Sequence, residues 1–261
     1  MKYVAVASTR LMGSLIYERD VLVQSVFMLV ALVTFVQLWS TTYSATNQPI
    51  IEGFSLRDLV WYLVITEVIG LSTPRLANTI DADVRSGDIA CALGRPYNYP
   101  LYHLAGFWGE TLVRVPINAL VGGGVALVAV GWPQTSPSAI LGTLLLGAGA
   151  ITLKGMFGVL IGLSAFWVED TQPAEWIYNK FVLTIGGLFL PLELFPGWLA
   201  NIARGLPFAS MAYAPARVFV GFDWPVFGPL LLTQLVWLVL CWLAISAVFG
   251  SAVRRLVAHG G

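Results

Sequence analysis

The chain has 261 residues, of which 57% are hydrophobic and only 11% are charged. Because soluble domains usually carry about 25% charged residues, this composition excludes an ordinary soluble protein, as does the mean hydropathy of +0.79. The net charge of zero argues against an extensive basic surface for nucleic acid. The two cysteines, Cys91 and Cys241, are too few for a disulfide framework, and we expect both to be thiols.

The N-terminal residues 1–20 predict an amphipathic helix on the membrane surface rather than a secretory signal. A signal peptide needs a short apolar core followed by a small-residue cleavage site, but here charge continues through residues 18–20. Most of the charged residues fall away from an apolar face with helical spacing. That face consists of Val4, Ala7, Leu11, Leu15 and Ile16. A frayed polar terminus is the alternative.

The rest of the chain predicts six transmembrane helices, because its apolar residues come in runs long enough for a bilayer. In chain order the predicted spans are 21–40, 56–73, a helix within 101–130, 139–166, 181–191 and 226–249. A polar loop connects the first two spans, and GWPQTSPS at 131–138 predicts a tight turn before the fourth.

The distribution of lysine and arginine predicts that both termini are cytoplasmic. One side of the predicted topology collects Lys2, Arg10, Arg19, Arg75, Arg85, Arg95, Lys180, Arg254 and Arg255. The other side collects Arg57, Arg204 and Arg217. An even number of spans agrees with this orientation.

The segment 191–224 is too broken by proline and glycine to cross a bilayer and too apolar for an ordinary loop. Irregular backbone at membrane depth is tolerated only where protein or a water-filled cavity covers it. We therefore predict one or two short re-entrant helices that dip in from outside. The alternative is an external amphipathic loop.

Four charged residues lie away from the ends of the predicted spans and are candidates for a translocation path, because charge at membrane depth is costly. They are Glu67, Glu110, Arg114 and Lys154. Glu110 and Arg114 are four residues apart on one helix face and can pair, within a path or at the membrane interface. Lys154 either pairs with Glu67, faces a substrate cavity or snorkels to water.

Motifs for catalysis and nucleotide binding are missing. GGGVALVAVG lacks the lysine of a phosphate-binding loop, and neither H-E-x-x-H nor G-x-S-x-G occurs. The sequence therefore predicts no ATP binding by that route, no metal site and no catalytic residue on this chain. An intramembrane lipid-modifying enzyme would have to build its site from the four buried charges.

Residues 80–99, IDADVRSGDIACALGRPYNY, resemble the hallmark of the ABC-2 class of permeases. That pattern is an acidic residue, then Arg-x-Gly-Asp-Ile, then Leu-x-Arg-Pro before the third span. The matching residues are Asp81, Arg85, Gly87, Asp88, Ile89, Leu93, Arg95 and Pro96. Two further segments are similar: FWVEDTQPAEWIYNKF at 166–181, and LPLELFPGWLANIARGLPF from Leu190 with AYAPARVFVG from Ala212.

The resemblance implies a paired permease driven by two copies of a separate ATPase, which binds ATP and Mg. The cytoplasmic segments 75–99 and 167–180 would dock onto the ATPases, the second through Glu169, Asp170 and Trp176. The external segment would close the outer end of the path, with a gate made of Pro191, Glu193, Phe195 and Pro196.

We therefore predict an all-α integral membrane protein, one transmembrane permease domain over 1–261. Its function would be the membrane-spanning subunit of an ATP-driven exporter in a bacterial inner membrane, surrounded by lipid and not itself an enzyme. The second permease chain could be identical or related. The alternative is a secondary transporter or channel that needs no ATPase partner.

Overall fold

The computed structural model describes residues 2–16 and 18–260, with the side chains of residues 2–13 and 23–255. Its helices are α1 (Lys2–Ile16), α2 (Glu18–Thr46), α3 (Leu56–Leu71), α4 (Leu76–Ser86), α5 (Asp88–Leu93), α6 (Tyr99–Val130), α7 (Pro137–Leu163), α8 (Gln172–Thr184), α9 (Gly197–Gly205), α10 (Pro207–Met211), α11 (Tyr213–Val220) and α12 (Trp224–Gly260). Two short strands, β1 (Ile50–Ile51) and β2 (Phe54–Ser55), join α2 to α3.

Five helical stretches of the described chain are long and apolar enough to cross a membrane. They are Val23–Thr46, Leu56–Ser86, Tyr99–Val130, Pro137–Phe166 and Trp224–Arg255. The predicted all-α integral membrane protein is therefore confirmed. The second stretch is interrupted between α3 and α4, where residues 72–75 are not helical.

The predicted fifth span, 181–191, is not among these five stretches. α8 ends at Thr184, within the predicted span. The chain then turns at Gly187, whose φ of 75° lies in the left-handed region that favours glycine. Tyr62 donates a hydrogen bond to the Gly187 carbonyl, and Thr66 donates one of 2.8 Å to the Leu188 carbonyl. Side chains of α3 thus satisfy irregular backbone that would otherwise be costly in a membrane.

The segment after this turn forms three short helices, α9 to α11, rather than the one or two predicted. They pack into the bundle: the ring of Phe208 lies 6.0 Å from Phe157 of α7 and 6.2 Å from Tyr178 of α8. The Ser210 carbonyl accepts a 3.0 Å hydrogen bond from Gln234 of α12. The segment is thus part of the helical bundle, and its re-entry into the membrane stays a prediction.

The bundle has two ends, which we name by what they carry. The motif end carries residues 75–99, and the hairpin end carries β1 and β2.

The hairpin of β1 and β2 was predicted only as a polar loop. Its turn forms because Glu52 and Gly53 both adopt positive φ, 48° and 84°, as two-residue hairpin turns require.

The N-terminal helix α1 packs along α6. A Cβ added at Gly109 of α6 would collide with the Ala7 carbonyl, so this glycine permits the close approach. α1 is shorter than predicted, because α2 already begins at Glu18. Of the predicted apolar face, Val4 is 73% exposed, whereas Ala7 and Leu11 are half-buried. Leu15 and Ile16 lie outside the described side chains.

Candidate functional site

The predicted motif forms a bent pair of helices at the motif end. Gly87 joins α4 to α5 with φ of 79°, a conformation that costs other residues strain. Ile80 and Ile89 are fully buried, so the apolar seam of both helices faces the bundle. Asp88 starts α5 and accepts a 2.8 Å hydrogen bond from Ser86. Its side chain is exposed, in contrast to the two buried isoleucines.

Asp81 connects the two predicted coupling segments, which are far apart in sequence. Its carboxylate accepts hydrogen bonds from Arg85, 2.7 Å, and from Thr171 of the second segment, 3.1 Å. Arg85 also lies 4.0 Å from the carboxylate of Asp170. The segments 75–99 and 167–180 therefore present one continuous surface.

The start of α1 is tied to the same end of the bundle. Lys2 donates a 2.6 Å hydrogen bond to the Pro96 carbonyl, and the Tyr3 hydroxyl accepts one of 3.0 Å from the Asn98 backbone. The sequence interpretation did not foresee these contacts, since α1 was predicted only to lie on the membrane.

A second cluster at the motif end was also missed. Asp83 accepts a 2.8 Å hydrogen bond from Tyr99, and its carboxylate lies 3.2 Å from Nε2 of His103. The sequence does contain a signal for this cluster, since α6 begins with a tyrosine and a histidine. Polar side chains that become buried need hydrogen-bond partners.

The remaining predicted coupling residues differ in exposure. Arg95, Pro96 and Glu169 are exposed, and Leu93 is half-buried. Trp176 is 64% exposed, with the Lys180 amine 5.3 Å from its ring centre. Such a large exposed indole on α8 suits contact with a partner or with lipid.

Lys154 lies against the end of α3 and makes no ion pair with Glu67. Its amine donates hydrogen bonds to the carbonyls of Ile69, 3.2 Å, and Gly70, 3.0 Å. Helix-terminal carbonyls lack intrahelical partners and attract cations. The structure thus shows hydrogen bonds to backbone carbonyls rather than an ion pair, and Lys154 lines a cavity. Glu67 is only 4% exposed and lies near Lys154, so a role for both in a translocation path stays a prediction.

The predicted pair on α6 is confirmed. Arg114 lies 3.6 Å from Glu110, and Glu110 also lies 3.9 Å from Arg10 of α1. Arg114 donates a 3.3 Å hydrogen bond to Gln24 of α2. One turn further, the Asn118 side chain accepts a hydrogen bond from Ser25 of α2 and donates one to Ser72, just after α3, so this face of α6 carries a line of polar contacts.

A cavity of ≈190 Å³ lies between Lys154 and the motif end. Residues from α2, α3, α4, α6, α7 and α8 line it, including Gln24, Thr73, Arg75, Lys154, Glu175 and Asn179. Burial raises the pKa of the Glu175 carboxyl above its usual range, and Arg75 offsets part of that effect. The cavity brings Lys154 together with residues that the sequence interpretation had not assigned. Glu110 and Arg114 do not line it.

The predicted outer gate contains one ion pair. Glu193 lies 3.0 Å from Nε of Arg217 and accepts a 2.6 Å hydrogen bond from Tyr213. Pro191 is buried, Phe195 is half-buried and Pro196 is exposed. Arg217 was missed as a site residue, although a single cation in the apolar run AYAPARVFV signals a need for a partner.

One comparison with known proteins identifies a family. A family model described as ABC-2 family transporter protein matches residues 28–260 of the chain. The matched range begins within α2, includes both predicted coupling segments and extends to the end of α12. No curated protein matches the chain.

Proposed function

The chain belongs to the ABC-2 transporter family, and we propose that it is the membrane-spanning subunit of an exporter driven by a separate ATPase subunit. The observation that carries this proposal is the surface at the motif end, where Asp81 links Arg85 to Thr171. Because hydrogen bonds connect the two segments, a conformational change of a bound partner can displace both segments together.

Charge at this surface supports docking to a protein rather than to the bilayer. Asp88 is exposed at the start of α5, whereas Asp81 and Asp83 are half-buried beside their partners Thr171 and His103. The inner leaflet of a bacterial membrane is negative, so it repels carboxylates that lie near it. A protein partner with complementary charge would hold this surface in place.

The assembly that we propose contains two permease chains, identical or related, over two ATPase subunits that bind ATP and Mg. The motif end and both termini face the cytoplasm of a bacterium, and the hairpin end faces outward. This orientation follows the excess of lysine and arginine at the motif end.

Within each chain, Lys154, Glu67 and the pair of Glu110 and Arg114 belong to the translocation path. Ionisable residues are retained at membrane depth mainly where they serve function. The group of Glu193, Arg217 and Tyr213, with the nearby Pro191, Phe195 and Pro196, forms the outer gate.

Cross-linking from Cys91 tests the docking. Cys91 is exposed on α5 and Cys241 is buried, so a thiol-reactive photo-cross-linker will modify the first in the native chain. Illumination of the complex should join Cys91 to the ATPase, and Cys91→Ser should abolish the adduct. A complex that copurifies but gives no adduct from Cys91 would show that α5 is not the docking element.

A further inference from the structure

The interruption between α3 and α4 brings two helix ends together beside the cavity. Residues 72–75 separate the helices inside a stretch otherwise long enough to span a membrane. In discontinuous membrane helices, exposed carbonyls attract cations and exposed N–H groups attract anions. Both kinds of helix end are present here.

The C-terminal end of α3 is already satisfied by a cation of the chain itself. Lys154 donates two hydrogen bonds to it, through the carbonyls of Ile69 and Gly70. A lysine amine has three N–H donors, so one remains for another acceptor. Because Lys154 also lines the cavity, an acceptor there can reach it.

The N-terminal end of α4 has no described side chain as a partner, although the Leu76 N–H donates a 2.9 Å hydrogen bond to the Pro74 carbonyl. Within the described chain, no side chain caps this helix, whose N-cap position is Arg75. The first N–H groups of a helix lack intrahelical acceptors and carry partial positive charge. Arg75, Leu76 and Ala77 line the cavity, so the start of α4 lies at its wall.

The charged side chains of the lining are two cations and one carboxyl. Lys154 and Arg75 come from different elements, and Glu175 of α8 forms no ion pair with either among the described residues. The cavity lining therefore carries two cationic side chains and the start of α4, with Glu175 near Arg75 and Glu67, which is outside the lining, near Lys154.

The cavity continues into a neighbouring groove. The groove, of ≈470 Å³, shares Arg75, Glu175 and Asn179 with the cavity and is also lined by the exposed Trp176. Sites for whole drug-sized molecules usually measure about 300–1,000 Å³. The cavity alone thus fits a small polar group. The groove, whose lining is mostly polar and includes Asn78, Asp170 and Gln172, offers space for a polar remainder of the ligand.

We propose that this cavity binds an anionic group of the cargo, a phosphate or carboxylate held by Lys154, Arg75 and the start of α4. The assignment of this ligand as cargo rests on the proposed transport function. Charge-assisted hydrogen bonds to such groups are stronger than neutral ones, so two cationic side chains at one cavity favour an anion.

Binding of dodecyl phosphate to the purified full chain in dodecyl maltoside tests this proposal by isothermal titration calorimetry. We expect dodecyl phosphate to bind at least about tenfold more tightly than dodecyltrimethylammonium, since about 1.4 kcal/mol of selectivity gives that ratio. Arg75→Gln should remove most of this selectivity, whereas Arg254→Gln, a matched change of an exposed arginine, should retain it.

Lys154→Met should also weaken dodecyl phosphate binding, and Lys154→Arg should retain it. Because Lys154 satisfies the end of α3, Lys154→Met could unfold; Arg75→Gln, on an exposed residue, then decides the outcome. Inorganic phosphate that displaces the probe with the same dependence on Arg75 would support the anion site and identify a free anion as ligand. Equal affinity for both amphiphiles, or Arg75→Gln without effect, would overturn the proposal.

These outcomes separate the two proposals, because the binding measurement needs no ATPase. Selective binding by a chain that recruits no ATPase would leave the anion site standing and contradict the exporter. Recruitment of an ATPase by a chain without selectivity would leave the exporter standing and contradict the anion site.

Discussion

Glu193 and Arg217 form an ion pair of 3.0 Å between the turn before α9 and the middle of α11. Tyr213, one turn earlier on α11, donates to the same carboxylate oxygen at 2.6 Å. Arg217 also donates a 2.8 Å hydrogen bond to the Gly221 carbonyl at the end of its helix. These contacts join the beginning of the predicted external segment 191–224, at Glu193, to its later helix α11.

Replacement of Arg217 by Met should destabilise the hairpin end. A partly buried carboxylate left without its charged partner costs about 1–3 kcal/mol, so the thermal unfolding midpoint in detergent should fall. Arg204→Met, an exposed arginine of α9, should leave it unchanged. Adding Glu193→Gln to Arg217→Met should recover part of the loss; two changes that simply add would show that the pair is not coupled.

Charge reversal at Arg85 should uncouple the chain from its ATPase. Arg85→Glu places a third carboxylate beside Asp81 and Asp170, so the joined coupling surface should separate. We expect at least about tenfold weaker binding of the ATPase, which corresponds to about 1.4 kcal/mol, because like charges placed together at a docking surface repel each other.

Arg254→Glu is the control for this reversal, because Arg254 is exposed on α12 and outside the coupling surface. Both variants should insert into the membrane at normal levels. Full ATPase binding and full transport by Arg85→Glu would show that the surface around Asp81 is not where the ATPase docks.

A methyl group at Gly109 should displace α1 from α6. The added Cβ would meet the backbone carbonyl of Ala7, which cannot move independently of α1. Overpacking of this kind typically costs about 1–3 kcal/mol, so Gly109→Ala should lower the unfolding midpoint. Gly124→Ala on the same helix meets nothing within 4 Å and should be neutral or stabilising, because alanine favours helix. Equal midpoints for the two variants would mean that α1 does not pack closely here.

Labelling with a membrane-impermeant maleimide tests the orientation. In intact cells the native chain should stay unlabelled, because its exposed Cys91 lies at the motif end. Ser44→Cys, exposed near the hairpin end, should be labelled in a Cys91→Ser background. In inverted vesicles the pattern should be reversed. Labelling of Cys91 from outside intact cells would place the motif end on the external side.

The architecture was largely predictable because a bilayer imposes long apolar runs. The helices over Val23–Thr46, Tyr99–Val130 and Pro137–Phe166 agree with predicted spans to within a few residues. The predicted fifth span failed for a local reason. Hydropathy does not detect that Gly187 turns the chain or that Tyr62 and Thr66 satisfy its carbonyls.

The sequence identified many residues of the candidate site, but it did not predict which of them contact each other. The motif marked Asp81 and Arg85, and helical spacing alone gave the pair of Glu110 and Arg114. Nothing local in the sequence indicates that Thr171 reaches Asp81. The contacts of Lys154 were missed for a similar reason, because residue spacing does not show that the carbonyls of Ile69 and Gly70 at the end of α3 lie within reach of its amine.

Association with an ATPase tests the central claim most directly. The tagged full chain should be expressed with an ATPase subunit encoded beside it, and the purified material should be analysed for composition and for ATP hydrolysis. We expect a complex of two permease chains with two ATPase subunits that hydrolyses ATP, and no hydrolysis by the chain alone. Transport by the purified chain in vesicles without any ATPase, driven by an ion gradient, would contradict the account.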